Sequence, residues 1–323
     1  MSLLSINNLS VSFQTDRGVV QAVDQVSFDV DAGETLAIVG ESGSGKSVTA
    51  LSILQLLGDA GTISDGQIVF DGQNLLDLPE KDIRNIRGDR IAMIFQEPMS
   101  SLNPVLTVGK QVAEPIWLHR KKTWNEALDQ AEELIKKVSI PDAKQRLDAY
   151  PHQFSGGMRQ RVMIAMALAC EPKLIIADEP TTALDVTVQA QILSLLKNLT
   201  TELNSALILI THDLGVVARY ADRVAVMYGG RIVESATAAE LYKHPKHPYT
   251  EGLMASIPTL DGEPGSRLQT IEGQPPDLLH MPAGCAFHPR CPYAAEICKH
   301  AKPSLKEVEA NHFRACVGYE SIS

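Results

Sequence analysis

The sequence of 323 residues predicts an α/β fold: a parallel-sheet core with a small antiparallel sheet, a helical subdomain and an irregular C-terminal extension. Continuous apolar runs predict strands that are buried on both faces of a parallel sheet, and they lie at residues 35–39, 174–177 and 206–210. Helical periodicity separates them, most clearly at residues 48–57, 125–138, 157–169 and 188–203.

The segments before the first buried strand have a different pattern. Residues 4–13 and 19–30 alternate apolar and polar side chains, as half-buried antiparallel strands do. We therefore expect a small antiparallel sheet at the front of the core. The helical patterns around residues 97–170 predict an inserted helical subdomain.

Proline marks the C-terminal part of the chain. Ten of the 18 prolines lie in residues 241–323, where periodicity fades and we expect loops to dominate. We expect two domains, residues 1–240 and residues 241–323.

Composition and charge exclude several classes of protein. With 44% hydrophobic and 21% charged residues, the chain is neither disordered nor fibrous. The net charge of −10 argues against a nucleic-acid partner. The longest apolar run, residues 163–170, is far short of the roughly 18–20 residues that cross a bilayer. Since the N-terminus also lacks the pattern of a signal peptide, we expect the chain to stay in the cytoplasm.

Residues 40–47 read GESGSGKS and match the G-x-x-x-x-G-K-[ST] pattern of a phosphate-binding loop. Glycines allow successive backbone N–H groups to point at phosphate oxygens, and the N-terminus of the following helix adds its dipole. Lys46 is expected to pair with the β- and γ-phosphates, and Ser47 to ligate Mg²⁺. The other residues predicted to contact the nucleotide here are Gly40, Ser42, Gly43, Ser44 and Gly45.

A second buried run ends in two carboxylates, Asp178 and Glu179. Asp178 is expected to reach the Mg²⁺ ion through its water shell. Glu179 points to a different side and is the candidate general base that polarises the attacking water.

Residues 155–161 read SGGMRQR, and a Ser-Gly-Gly turn that opens a helix is a second predicted anion-binding site. This segment resembles the signature loop of the ATP-binding-cassette (ABC) ATPases. The resemblance implies a P-loop NTPase fold with a RecA-like core. It also implies that Ser155, Gly156 and Gly157 contact ATP on a partner chain, so that ATP is sandwiched between two chains.

Four further residues match positions of the same family in the expected order. Gln96 resembles the glutamine that senses Mg²⁺ and touches the membrane partner. Asp185, in the ALD sequence at residues 183–185, resembles the loop that crosses to the partner's nucleotide. His212 resembles the histidine that contacts the γ-phosphate. Phe13 matches the aromatic residue that stacks on adenine, although a core position is the alternative.

The rest of the chain narrows the resemblance to importers. It has one cassette and a compact insertion, unlike ribosome-associated ATPases with two cassettes or DNA-repair members with long insertions. Residues 149–154 resemble the corresponding segment of importers rather than that of exporters. Residues 244–250, 273–276 and 284–292 resemble the C-terminal extension of oligopeptide and dipeptide importer ATPases.

That resemblance implies an ATPase that energises a bacterial or archaeal importer of di- or oligopeptides. Its partners would be a second, different ATPase subunit, two permease subunits and, indirectly, an extracytoplasmic solute-binding protein. The chain would lie at the cytoplasmic face of the inner membrane. Importers of nickel or oligosaccharides are one alternative, and a soluble ABC ATPase without a transport role is another.

Four cysteines form a separate candidate site. Cys285, Cys291, Cys298 and Cys316 have the spacing C-x5-C-x6-C-x17-C, and proline follows Cys291 as it follows many cluster ligands. Four thiolates suit Zn²⁺ or a [4Fe–4S] cluster, and the lack of tight C-x₂₋₄-C pairs favours the cluster. Relatives among the peptide-importer ATPases carry such a cluster. Zinc and free or disulfide-bonded thiols are the alternatives.

The role expected for this metal is structural. Because the extension is rich in proline and poor in periodic apolar residues, we expect metal ligation to supply its folding energy. Cys170 stands apart, at the end of a predicted helix, and is expected to be a core residue.

Overall fold

The chain forms two compact units in a computed structural model that describes residues 2–182, 184–256 and 270–318. Within these residues the first unit comprises 2–3, 30–35, 77–182 and 184–210, and the second 4–29, 36–76, 211–256 and 270–318. The strands in chain order are β1 (Leu4–Thr15), β2 (Gly18–Val30), β3 (Thr35–Val39), β4 (Gly61–Phe70), β5 (Gln73–Asn74), β6 (Ile91–Ile94), β7 (Leu174–Asp178), β8 (Ala206–Thr211), β9 (Arg223–Tyr228), β10 (Arg231–Thr237), β11 (Lys306–Glu309) and β12 (His312–Arg314). The helices are α1 (Lys46–Ile53), α2 (Glu80–Ile86), α3 (Pro98–Ser101), α4 (Val108–His119), α5 (Trp124–Lys137), α6 (Ala143–Arg146), α7 (Gly156–Leu168), α8 (Val186–Glu202), α9 (Leu214–Tyr220), α10 (Ala238–Lys243) and α11 (Pro248–Ala255).

The first unit is built on three parallel strands, β6, β7 and β8. Leu174 of β7 lies opposite Ile91 of β6 and Ala206 of β8. Every residue of β7 and β8 is buried, which confirms the interpretation of their apolar runs. Because parallel strands end at the same edge, the segments that follow β6 and β7 lie side by side.

Three helices of the first unit begin at side chains that cap them. Thr123 and Glu126 form a capping box at the start of α5. Ser155 caps α7 and Asp185 caps α8 through their side-chain oxygens. These helices confirm three of the predicted helical segments. No helix within the described residues has the length and apolar character needed to cross a membrane.

The second unit contains two groups of strands. The first group is a four-stranded sheet with the order β2-β1-β4-β5. Strand β1 runs antiparallel to β4, as the alternating pattern predicted. The other group has the order β11-β12-β10-β9-β3, in which β3 and β9 are parallel and the remaining pairs are antiparallel. The phosphate-binding segment lies between β3 and α1. The domain boundary near residue 240 stays a prediction.

Aromatic side chains pack the C-terminal extension against the rest of the second unit. Phe287 is buried, and its ring centroid lies 5.2 Å from that of Tyr228 and 5.3 Å from that of Tyr249. Strand β12 also pairs with β10, so the extension is less irregular than we expected. Burial of these rings therefore contributes to the stability of the extension, a contribution that the sequence analysis did not foresee.

Candidate active site

Three glycines fix the backbone of the phosphate loop, residues 40–47. Gly40, Gly43 and Gly45 have φ angles of 152°, 78° and 103°, in the region that L side chains rarely adopt. A Cβ atom on Gly40 would lie 2.2 Å from the carbonyl oxygen of Met227. Position 40 therefore requires glycine, because any other side chain would strain the backbone conformation and would clash with Met227.

Lys46 lies at the centre of this loop and is buried. Its Nζ donates hydrogen bonds to the carbonyl oxygens of Gly40, at 2.8 Å, and Glu41, at 2.9 Å. These bonds curl the loop around the ammonium group. Phosphate oxygens are stronger acceptors than neutral carbonyl oxygens, so a nucleotide would compete well for the same donors.

The loop continues directly into α1. Gly45 caps the helix from a left-handed conformation, and Ser47 lies in its first turn. Ser44 is buried, whereas Ser42 is exposed. The residues predicted from the motif thus form one continuous turn at a helix N-terminus, the geometry that binds phosphate.

The two carboxylates follow β7 in the first unit. Asp178 is the buried last residue of the strand. Glu179 has a φ angle of 45°, which is unusual for a residue with a side chain, and its N–H donates to the carbonyl oxygen of Ile210 at 2.9 Å. Such conformations cost about 1–3 kcal/mol and cluster at functional sites.

Two donors hold the carboxylate of Glu179. Gln96 Nε2 lies 3.1 Å and Thr182 Oγ1 lies 2.9 Å from Glu179 Oε2. The predicted glutamine and the predicted base therefore meet, as the shared edge of β6 and β7 requires. Sequence reasoning missed Thr182, and its position three residues after Glu179 was the available signal.

The signature segment lies beside the start of α8. Ser155 Oγ accepts from Met158 N at 3.3 Å, and a Cβ atom on Gly157 would lie 2.9 Å from Val188. Gly157 therefore allows α7 and α8 to approach closely. Gly156 and Ser155 are exposed, so the N-terminus of α7 is open to a ligand.

Asp185 has a structural role that the sequence analysis did not predict. Its Oδ1 accepts from Val188 N at 2.9 Å and caps α8. Its side chain is nevertheless exposed. Ala183 of the same motif lies outside the described residues.

Phe13 and His212 belong to the second unit. Phe13 is half-buried on β1 opposite Gly61 of β4, and a Cβ atom on that glycine would lie 2.8 Å from the phenyl ring. His212 is exposed and lies between β8 and α9. Adenine stacking by Phe13 and γ-phosphate contact by His212 stay predictions.

All four cysteines of the extension line a single pocket in the second unit: Cys285, Cys291, Cys298 and Cys316. None of them is in a disulfide. A backbone hydrogen bond of 2.8 Å from Cys285 N to Cys298 O joins two of the segments. Cys170 is buried elsewhere, which confirms its assignment to the core.

Burial favours the neutral forms of three groups that line this pocket, the Cys285 and Cys291 thiols and the His247 imidazole. Burial raises the pKa of the Cys285 thiol and raises the pKa of the Cys291 thiol to about 11. Burial also lowers the pKa of His247 to about 4, and its Nδ1 accepts from Tyr249 N. Thiolates here would need a compensating positive charge.

The predicted metal site has limited support. Across the described residues, no three His, Cys, Asp or Glu side chains are placed so that they can hold a metal ion. Neither zinc nor an iron–sulfur cluster is therefore supported by the structure, although the four thiols share one pocket.

Comparisons with known proteins agree with these motifs. The ABC transporter family profile matches residues 23–182, and the profile of the oligopeptide/dipeptide transporter C-terminal region matches residues 233–298. The oligopeptide transport ATP-binding protein OppD of Salmonella typhimurium is 52% identical over 97% of this chain and 93% of its own length. OppD of Bacillus subtilis is 53% identical over 96% of this chain and 87% of its own.

Solved structures give the same answer for the fold. The dimeric structure of MJ0796, a bacterial ABC transporter cassette, matches 73% of this chain and 98% of its own, with 31% identity and a TM-score of 0.65. The fold and the phosphate loop thus define an ABC ATPase, which confirms the predicted α/β P-loop NTPase fold. The chain belongs to the ABC transporter family, within its oligopeptide transport ATP-binding proteins.

Proposed function

We propose that the chain is the ATP-hydrolysing subunit of an importer for di- or oligopeptides. The relatives named for oligopeptide transport match it over nearly its full length, including the C-terminal region. The observation that carries the catalytic part is the pair of donors that hold the Glu179 carboxylate.

Each residue of the proposed ATP site has a defined role. Lys46 neutralises the β- and γ-phosphates, and the backbone of the loop surrounds them. Ser47 would ligate Mg²⁺, Asp178 would contact it through water, and Gln96 would sense it. When bound, Mg²⁺ supplies positive charge that stabilises the transferred phosphoryl group. Glu179 orients and polarises the attacking water.

The proposed site is completed by a second chain. Ser155, Gly156 and Gly157 donate to the γ-phosphate of the nucleotide held by a partner ATPase, and Asp185 crosses to the same site. His212 contacts the γ-phosphate and Phe13 stacks on adenine. The open N-terminus of α7 supports this arrangement, because Ser155 and Gly156 are exposed there.

Replacing Ser155 by alanine is expected to slow hydrolysis at the site built on the partner's phosphate loop, by about tenfold or more, because a hydrogen bond to a charged group is lost. Mixing wild-type and variant subunits of the two ATPases and measuring turnover separates the two sites. Thr123→Ala is the matched control, because it also removes the cap of a helix in the first unit. An equal loss in both variants would contradict the assignment.

The proposed partners are a second, different ATPase, two permeases and, through them, a solute-binding protein. The chain would then be a peripheral protein on the cytoplasmic face of the inner membrane. We expect affinity purification of the tagged chain from detergent-solubilised membranes to recover two hydrophobic permeases and the second ATPase. Recovery of a soluble homodimer without permeases would favour an ABC ATPase with no transport role.

We also propose that the four cysteines of the extension hold a [4Fe–4S] cluster. The proposal is argued from the shared pocket and from the free thiols in it, although these thiols are not placed to hold a single metal ion. A cluster has four separate iron atoms, so its ligands need not converge on one point as zinc ligands must. Bound iron would supply the positive charge that the buried thiolates require.

Anaerobically purified protein is expected to be brown, with broad absorption near 400 nm that fades in air. A Cys298→Ser variant should lose most of this absorption, whereas Cys170→Ser, the control at a buried cysteine outside the pocket, should keep it. Colourless anaerobic protein with one zinc per chain would overturn the cluster in favour of zinc.

A further inference from the structure

An arginine of the C-terminal extension forms a bidentate ion pair with the phosphate loop. Arg290 Nη1 lies 2.7 Å from Glu41 Oε2, and Nη2 lies 3.0 Å from Glu41 Oε1. The two residues are 249 positions apart in the sequence. The Arg290 side chain is only 5% exposed and that of Glu41 28%, so solvent screens this pair less than a surface pair.

The remaining donors of Arg290 are also used. Its Nε donates to the carbonyl oxygen of Glu272 at 3.0 Å, and Nη2 donates to that of Ile271 at 3.3 Å. Nη1 also lies 3.3 Å from Tyr228 Oη. The guanidinium group is therefore fixed by the extension in one orientation before it meets Glu41, which lowers the entropic cost of the pair.

A second residue of the extension holds the backbone of Glu41. Glu41 N donates to Tyr249 Oη at 2.9 Å, and Tyr249 is fully buried. The carbonyl oxygen of Glu41 accepts from Lys46 Nζ at 2.9 Å. The side chain, N–H and carbonyl group of this one loop residue are thus all held, two of them by the extension.

The extension also shares a cavity with the loop. Residues 275–278 and residues 41–44 line the same cavity, of about 280 Å³, in the second unit. The ion pair is therefore part of a wider contact between the extension and the segment that is proposed to bind phosphates.

We propose that Arg290 is a positioning residue for the phosphate loop: through Glu41 it holds the loop in the conformation that accepts the phosphates of MgATP. This inference rests on the proposed nucleotide site. Arg290 acts on the nucleotide only through Glu41. It makes the affinity of the site for ATP depend on the folded C-terminal extension.

A double-mutant cycle in the full complex tests the proposal, with Arg290→Ala, Glu41→Gln and the double variant. Each single variant is expected to raise the KM for ATP about tenfold and to leave kcat nearly unchanged. A tenfold change lies within the usual range by which one part of a protein alters the affinity of a distant binding site. The double variant should be no worse than either single one, because both remove the same ion pair. Arg290→Lys should recover only part of the affinity, since lysine does not form the bidentate pair.

Arg231→Ala is the matched control. Arg231 also pairs with a carboxylate, Asp24 at 2.9 Å, and donates to the carbonyl oxygen of Pro303 in the extension, but it makes no hydrogen bond to the phosphate loop. It should lower the thermal unfolding temperature of the nucleotide-free protein without changing the KM for ATP.

Three outcomes are decisive. A raised KM that is non-additive in the cycle and absent from Arg231→Ala supports the proposal. An unchanged KM, or a fall in kcat alone as expected from a smaller folded fraction, overturns it, and Glu41→Gln and Arg290→Lys keep the test available if Arg290→Ala does not fold. If Lys46→Ala binds ATP as tightly as wild type, the proposed nucleotide site has failed instead.

Discussion

Replacing Glu179 by glutamine is expected to lower the rate of ATP hydrolysis by about 10²–10⁴-fold while MgATP still binds. Glutamine keeps the shape of the side chain and can still accept from Thr182 Oγ1, but it cannot take a proton from water. Because hydrolysis opens the proposed sandwich, the variant should remain in the closed, ATP-bound state. Steady-state turnover of the assembled complex and the stoichiometry of retained ATP measure both effects.

Glu171→Gln is the control for this variant. Glu171 is an exposed glutamate that precedes β7, so its replacement removes the same charge without touching the proposed site. Its turnover should match that of the wild type. Turnover of Glu179→Gln at the wild-type rate would show that another group activates the water.

Replacing Lys46 by alanine has a different expected effect, because it weakens the binding of the nucleotide itself. A hydrogen bond between charged groups contributes about 1.5–3 kcal/mol, which corresponds to a loss of about 10- to 100-fold in affinity. The variant also leaves the carbonyl oxygens of Gly40 and Glu41 without this donor, so the empty loop should loosen.

Equilibrium binding of a fluorescent ATP analogue to the complex measures this loss. Lys81→Ala, at an exposed position of α2, controls for the removal of one positive charge. Together the two variants separate binding from chemistry, since Lys46→Ala should lose affinity and Glu179→Gln should lose turnover. Equal affinities of Lys46→Ala and wild type would contradict the role given to the loop.

The sequence predicted best the elements whose patterns are local. The continuous apolar runs of β3, β7 and β8 needed no partner to be recognised, because burial on both faces requires apolar side chains throughout. The phosphate loop was also predicted from a local pattern. Its glycines are required by the backbone conformation of a segment of only eight residues. The contact between Gln96 and Glu179 was not predicted, although parallel strands that end at the same edge explain it.

Elements whose local sequence conflicts with the structure they adopt were not predicted. Helix α4 contains Pro115 in its interior, which usually ends a helix. Strand β10 contains Glu234, which is fully buried, so its pattern is broken. The carboxylate is accommodated because His312 Nε2, at 2.7 Å, and the backbone N–H groups of Lys246 and His247 reach it from other parts of the chain. Tertiary partners thus explain the buried Glu234.

Long-range side-chain contacts likewise could not be predicted from the sequence. Glu41 occupies a position of the phosphate-loop pattern that accepts any residue, and Arg290 lies in a proline-rich segment with no periodicity. No local sequence pattern indicates that Glu41 and Arg290 pair. The aromatic cluster of Phe287 with Tyr228 and Tyr249 was missed for the same reason, since single aromatic residues carry no periodic signal.

Peptide uptake by the reconstituted importer tests the central claim most directly. The chain, its partner ATPase and the permeases would be placed in vesicles with a labelled oligopeptide and the solute-binding protein on one side and MgATP on the other. We expect ATP-dependent accumulation of the peptide, and none with Glu179→Gln in both ATPases. ATP hydrolysis that neither responds to the peptide nor moves it, or uptake of nickel or an oligosaccharide instead, would contradict the claim.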